Sequence, residues 1–331
     1  MQNSKLKIKK LLPEIKENIS LKEHTTFRIG GRTRYFFCGK KKEDIIRATK
    51  TAKKINLPFF ILGGGSNVLF SDKNFEGMVI KTQNSKLKIQ NCNILAEAGT
   101  PLSLLVQKAE KNNLSGFEWA IGIPGTIGGA VYGNASALGE AIGNLVEWVE
   151  VLDLKNFKIK KFSKKECKFG YKNSIFKRKK NLVILSVALK LKKGNKEKIK
   201  QEMERILKIR KEIQPLNYPS GGCIFKNVKC QMSNVLPAGR HGKTKKLFEK
   251  FPELEEFAKK GEIPAGFLID KAGLKGKRIG DAMISKKHAN FIVNLKNAKA
   301  EDVKKLINYI KEKVKKIFGI ELEEEIIIFP H

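Results

Sequence analysis

Gly122-Ile123-Pro124-Gly125-Thr126-Ile127-Gly128-Gly129-Ala130 sets four glycines and a proline within nine residues, and Asn134 and Gly139 follow closely. That density speaks against a helix, and the intervening residues are too apolar for a solvated linker. A buried backbone wrapped around a flat ligand satisfies both constraints. Roughly sixty residues earlier, Gly63-Gly64-Gly65-Ser66-Asn67 follows the apolar run Phe59-Phe60-Ile61-Leu62, read as a buried strand. Glycine tolerates positive φ and close approach, and successive N–H groups form a nest for an anion. The loop runs into strand-like Val68-Leu69-Phe70 rather than a helix, so it is not the GxGxxG dinucleotide fingerprint. Two such loops point to one extended ligand, with a diphosphate at the first and a ring system at the second.

Around these loops the pattern alternates short strands and helices. Helical spacing covers Glu43 to Asn56 and Pro101 to Asn113, and strands are expected at Met78 to Ile80, Val146 to Leu154 and Leu182 to Leu191. A charged amphipathic helix, Lys196 to Ile213, ends at Gln214-Pro215 and reads as a link between domains. Beyond it, helices are expected at Gly266 to Ala272 and Ala300 to Phe318, with strands at Phe291 to Asn294 and Leu322 to Phe329.

The 331 residues exceed one ordinary core. No apolar run is long enough for a membrane helix, and the N-terminus lacks a signal-peptide pattern, so a cytoplasmic location is expected. The five cysteines, Cys38, Cys92, Cys167, Cys223 and Cys230, are scattered, with no CxxC and no histidine cluster. Neither a disulfide framework nor a metal site is implied. The net charge of +34 invites a nucleic-acid reading, but only nine of the 67 basic residues are arginine, and the lysines are spread along the chain. Base and phosphate forks favour arginine. Weak attraction to anionic ligands is expected, with no stable nucleic-acid partner and no membrane. Gly239-Arg240-His241-Gly242-Lys243-Thr244 ends like a P-loop, yet the position for its first glycine is Pro237.

At Ile61–Leu69 (ILGGGSNVL) and Gly122–Ala130 (GIPGTIGGA) the chain resembles the two FAD-binding segments of the vanillyl-alcohol-oxidase or PCMH-type flavin domain. With His24-Thr25-Thr26-Phe27-Arg28-Ile29-Gly30-Gly31, it is similar to the version of that domain in the UDP-N-acetylenolpyruvoylglucosamine reductase family. The resemblance runs from about Leu21 to Phe329 and implies an α+β fold. An N-terminal extension (1–20) would precede an FAD-binding domain (21–195) made of two α+β subdomains, about 21–70 and 71–195. A linking helix (196–214) would lead into a C-terminal α+β substrate-binding domain (215–331) carrying an insertion (228–262). The spacing after Phe176 matches the shorter second type of the family. The implied cofactor contacts are Ile61, Gly63, Gly64, Gly65, Ser66, Asn67, Val68, Leu69, Gly122, Ile123, Pro124, Gly125, Thr126, Gly128, Gly129, Ala130 and Asn134.

The implied reaction is NADPH-dependent reduction, through FAD, of the enolpyruvyl ether of UDP-N-acetylglucosamine-enolpyruvate to UDP-N-acetylmuramate, by a monomer. Such a reduction needs a hydride at the β-carbon, stabilisation of negative charge, and a proton at the α-carbon. Three segments resemble the catalytic motifs. Tyr171-Lys172-Asn173-Ser174-Ile175-Phe176 places Lys172 where the family has arginine, which keeps the charge but loses the bidentate fork. Pro219-Ser220-Gly221-Gly222-Cys223-Ile224-Phe225-Lys226-Asn227 places Cys223 where the family's proton-donating serine stands. A thiol is the stronger acid of the two. Gly319-Ile320-Glu321-Leu322-Glu323-Glu324-Glu325 assigns the charge-stabilising carboxylate to Glu325. Tyr171, Asn227 and His288 match substrate-binding positions. The family often carries lysine where this chain has Ile213. An oxidase of the same fold is the rival enzyme, and a basic flavin-binding or nucleic-acid-binding protein without catalysis is the rival of another class.

Overall fold

The computed structural model describes residues 8–229 and 249–330. Cys230 and the P-loop-like stretch at 239–244 therefore lie outside the described residues, as does much of the insertion. The chain divides into two compact units. One comprises Met1–His24, Gly31–Ser66 and Lys73–Glu212; the other comprises Thr25–Gly30, Asn67–Asp72 and Ile213–His331.

The first unit holds two sheets. In the four-stranded sheet the order is Lys16–Ser20, Arg32–Gly39, Phe75–Thr82, Phe59–Leu62, and all pairs after the first are parallel. Helix Lys42–Lys54 makes the crossover that parallel strands require. Its Ile45, Ala48 and Ala52 recur on one face and meet Tyr35, Phe37, Met78 and Ile80, which alternate along the strands. Leu152, Leu154, Val183 and Leu185 of the second sheet close the same core. Residues 8–20, part of the expected extension, are integral to this unit: Lys16–Ser20 is an edge strand and Ile8, Leu12 and Ile15 enter this core. Phe59–Leu62 forms the expected strand but is buried only at Leu62.

The five-stranded antiparallel sheet runs Lys158–Ser163, Val146–Asp153, Leu182–Lys190, Asn93–Glu97, Leu87–Gln90. Helices Leu102–Lys111 and Ile127–Gly133 supply apolar residues to the core on its other face. Helix Lys196–Ile213 adds Ile206 there, so it is packed into the first unit along most of its length rather than spanning free between domains.

Ile127–Gly133 overturns one expectation, since glycine density there does not preclude a helix. Thr126 caps its start, accepting from the Gly129 N–H at 3.4 Å, and Asn134 ends it in the left-handed region at φ 48°. A Cβ on Gly128 would stand 2.8 Å from that of Ala98, so the glycine permits a close approach that offsets its poor propensity.

The second unit is built on an antiparallel sheet ordered Ser220–Cys223, Phe291–Asn294, Ala282–Ile284, Arg278–Ile279. Helix Ala300–Phe318 buries Val303, Leu306, Ile307, Ile310 and Val314, an apolar stripe at helical spacing. The Asp72 carboxylate accepts from Ala300 and Glu301 N–H at 2.9 and 3.2 Å, placing negative charge at the helix start. Val68–Phe70 pairs in parallel with Ile327–Phe329. The last strand is thus shorter than expected; its upstream residues are held by separate backbone bonds instead.

Candidate active site

In the first unit the two glycine segments meet. A Cβ on Gly64 would lie 2.6 Å from Gly125 Cα, and one on Gly63 would lie 2.7 Å from Thr126 Oγ1. Ser66 Oγ donates to Pro124 O at 2.9 Å. Glycine here permits loop-to-loop contact, and Gly65, Gly122 and Gly125, at φ 69°, 75° and 127°, also need positive φ. Among the described residues, the amides of Gly63, Gly64, Gly65 and Ser66 donate to no protein acceptor. A row of uncommitted N–H groups in a cradle that side chains would fill suits an anionic ligand. The side chains of Ile61, Ile123 and Ala130 turn into cores. Such positions leave only backbone to offer.

Asn134 does more than end a helix. Its Nδ2 donates to Gly170 O at 2.8 Å and its Oδ1 accepts from Gly143 N–H at 3.0 Å. Gly170 and Asn173 exchange backbone bonds of 3.0 and 3.1 Å, which lifts Tyr171 and Lys172 onto a tight turn with Lys172 at φ 50°. Ser174 anchors the far side, its hydroxyl donating to Tyr132 O at 2.7 Å. Lys172 Nζ donates to Ser136 O at 3.3 Å. Asn134 and Ser174 therefore tie the Tyr171-Lys172 turn to the helix opened by the second glycine segment.

Arg210 was not anticipated. Its guanidinium donates to Trp119 O at 3.1 Å, and its Cδ lies 3.2 Å from where a Gly122 Cβ would stand. A cation thus flanks the second glycine segment. The helix carries two arginines, Arg205 and Arg210, and nothing in the sequence singles out the second.

In the second unit, the backbone of Glu325 pairs with that of Ile224, the residue after Cys223. Ile224 O accepts from Glu325 N–H at 2.8 Å and from Ile326 N–H at 3.4 Å, and Phe225 bridges Glu324. Cys223 is half-buried at the end of its strand, opposite Phe291, after a register shift with Gly222 at φ 79°. Asn67 Nδ2 donates to Glu325 O at 3.2 Å, so this residue braces the segment that carries the glutamate. Val68 and Leu69 are buried in the adjoining strand, and Leu69 belongs to the core. Neighbouring acids have lysine partners: Glu321 with Lys315, Glu323 with Lys226 and Glu324 with Lys311.

Asn227 spends its side chain inside the unit, donating to Glu262 at 2.6 Å and accepting from Ala265 N–H at 3.1 Å. His288 packs edge-on to Phe291, and its Nδ1 accepts from Asn290 N–H at 3.2 Å. That bond assigns its proton to Nε2, and burial lowers its pKa, so the ring is a neutral donor. Asn290, absent from the expected site, brackets Phe225: Oδ1 accepts from Phe225 N–H at 2.9 Å and Nδ2 donates to Phe225 O at 2.8 Å.

Residues 33–162 match the family model described as an FAD binding domain. Residues 214–329 match the model of the UDP-N-acetylenolpyruvoylglucosamine reductase C-terminal domain. With the glycine cradle, these matches define an FAD-dependent oxidoreductase. Similar proteins narrow the class. The UDP-N-acetylenolpyruvoylglucosamine reductase of Caldanaerobacter subterraneus subsp. tengcongensis is 39% identical over 97% of this chain and 96% of its own length. The Thermotoga maritima protein of the same name is 39% identical over 92% and 95%. The crystal structure of the Thermus caldophilus reductase superposes with a TM-score of 0.74 at 33% identity, covering 95% of this chain and 98% of that one. The chain belongs to the UDP-N-acetylenolpyruvoylglucosamine reductase family.

Proposed function

We propose that this chain reduces the enolpyruvyl ether of UDP-N-acetylglucosamine-enolpyruvate to UDP-N-acetylmuramate in peptidoglycan precursor synthesis, using FAD and NADPH. When bound, FAD would supply the hydride chemistry that links NADPH to the alkene. The observation that supports the reading is the backbone pairing of Glu325 with Ile224, which brings the Glu325 segment alongside the strand that ends in the expected acid, Cys223.

The cradle residues fit the cofactor. The amides of Gly63, Gly64, Gly65 and Ser66 would hold its diphosphate, and the backbone of Gly122, Pro124, Gly125, Thr126, Gly128 and Gly129 would line its ring system. Lys172 supplies positive charge to the substrate carboxylate. Glu325 helps to stabilise the charge that develops during reduction. The Cys223 thiol gives its proton to the α-carbon and is restored from solvent afterwards. Neutral His288 donates from Nε2 to the substrate, and Tyr171 offers a ring and a hydroxyl. Asn227 shapes the turn that follows the Cys223 motif. Among the described residues no helix is long and apolar enough to cross a membrane, and no cluster of metal ligands occurs.

Anaerobic spectroscopy tests this. NADPH should bleach the flavin, the enolpyruvyl nucleotide should restore its colour, and air should do so slowly. Fast restoration by air, with none by the nucleotide, would favour the oxidase reading.

A further inference from the structure

The geometry points to Asn290 as a positioning residue for proton transfer, an inference that rests on the functional reading above. The Ser220–Cys223 strand pairs with Phe291–Asn294 only as far as Cys223 opposite Phe291. Beyond that point Ile224 N–H still finds the Asn290 carbonyl at 2.8 Å, but Phe225 has no backbone partner on that side. Phe225 is 1% exposed and Asn290 3%, so water satisfies neither. The Asn290 amide takes the place of the missing strand, accepting from Phe225 N–H and donating to Phe225 O. An amide is the side-chain group that matches both halves of a peptide at once.

Two site residues depend on this clamp. Cys223 is two residues before Phe225 on the clamped segment. Glu325 is held by the carbonyl of Ile224, the residue between them. His288 is held separately, by the Asn290 backbone N–H on Nδ1, a bond that substitution of the side chain leaves in place. The Asn290 side chain touches no reacting atom; it fixes the segment that carries the Cys223 thiol and pairs with the Glu325 backbone.

Asn290→Asp separates positioning from mere folding. A protonated Asp reproduces the amide's donor and acceptor, whereas an ionised one loses the donor and sets charge against the Phe225 carbonyl. At pH 8.5, re-oxidation of the variant's flavin by UDP-N-acetylglucosamine-enolpyruvate should be ~30-fold slower than wild type at the same pH. Its reduction by NADPH should stay within about 3-fold, and at pH 5.5 re-oxidation should recover to within about 3-fold. Asn290→Ser, which reaches only one backbone group, should be slow at both pH values while retaining flavin.

An Asp variant that matches wild type at both pH values overturns the inference. So does equal slowing of both half-reactions, or loss of flavin from both variants, because Asn290 then holds the fold and not the site. Wild-type flavin that the nucleotide fails to re-oxidise overturns the functional reading and takes this inference with it.

Discussion

The two units build their sites from different materials. In the first, the glycine segments offer mainly backbone: at Gly63 to Ser66, N–H groups with no acceptor among the described residues, and gaps where side chains would collide. In the second, the functional side chains stand at the ends of strands whose backbone is locked by other side chains, Asn290 and Asn67 foremost. A backbone site tolerates little change at its glycines but is indifferent to the chemistry of its neighbours. A side-chain site depends on specific groups and on the residues that aim them. The contrast predicts where substitution removes the cofactor and where it slows one chemical step.

The largest effect should come from Gly64→Ala, whose Cβ would stand 2.6 Å from Gly125 Cα. Separating the two loops should cost ~3 kcal/mol and more than 100-fold in FAD affinity, measured by titrating flavin into apoprotein. If FAD affinity holds, the cradle is not where the cofactor binds. Lys172→Ala should slow flavin re-oxidation by the nucleotide about 30-fold and leave flavin content unchanged, because it removes charge rather than backbone. His288→Ala should raise the KM for the nucleotide about 10-fold, the loss of one neutral hydrogen bond.

A control away from both sites should show the smallest effect on catalysis. Asp153 accepts from Lys160 at 2.7 Å, Lys155 N–H at 3.1 Å and Asn181 at 2.7 Å, which lowers its pKa to about 2. A depressed carboxylate stabilises the fold fully above its unfolded pKa, near 4, and loses that contribution as pH falls toward 2. Asp153→Asn should lower stability at pH 7 by ~2 kcal/mol in urea unfolding, with the gap to wild type narrowing below about pH 4 and turnover unchanged.

Legibility in the sequence follows the same division. The glycine loops stand out because a backbone-lined cradle needs a residue type that is rare in helices and cores. Helices Lys196–Ile213 and Ala300–Phe318 and the strand Phe291–Asn294 keep their expected bounds, since long amphipathic periods and short apolar runs directly report burial. Ile127–Gly133 defied the local reading because contact with Ala98, not propensity, sustains it. The strand Lys16–Ser20 was missed because nothing local marks an edge strand whose partner is Arg32–Gly39. Asn290 had no signature at all: its role depends on meeting Phe225, 65 residues away. Cys223 and Glu325 were legible only as positions in motifs, since a lone thiol and one acid among several look structural by composition.

Cys223→Ala tests the assignment of the proton donor most directly, by anaerobic stopped-flow absorbance of both half-reactions. NADPH should bleach the variant's flavin at the wild-type rate, while recovery of colour with UDP-N-acetylglucosamine-enolpyruvate should be at least ~100-fold slower. Recovery at the wild-type rate would show that the proton reaching the α-carbon comes from somewhere else.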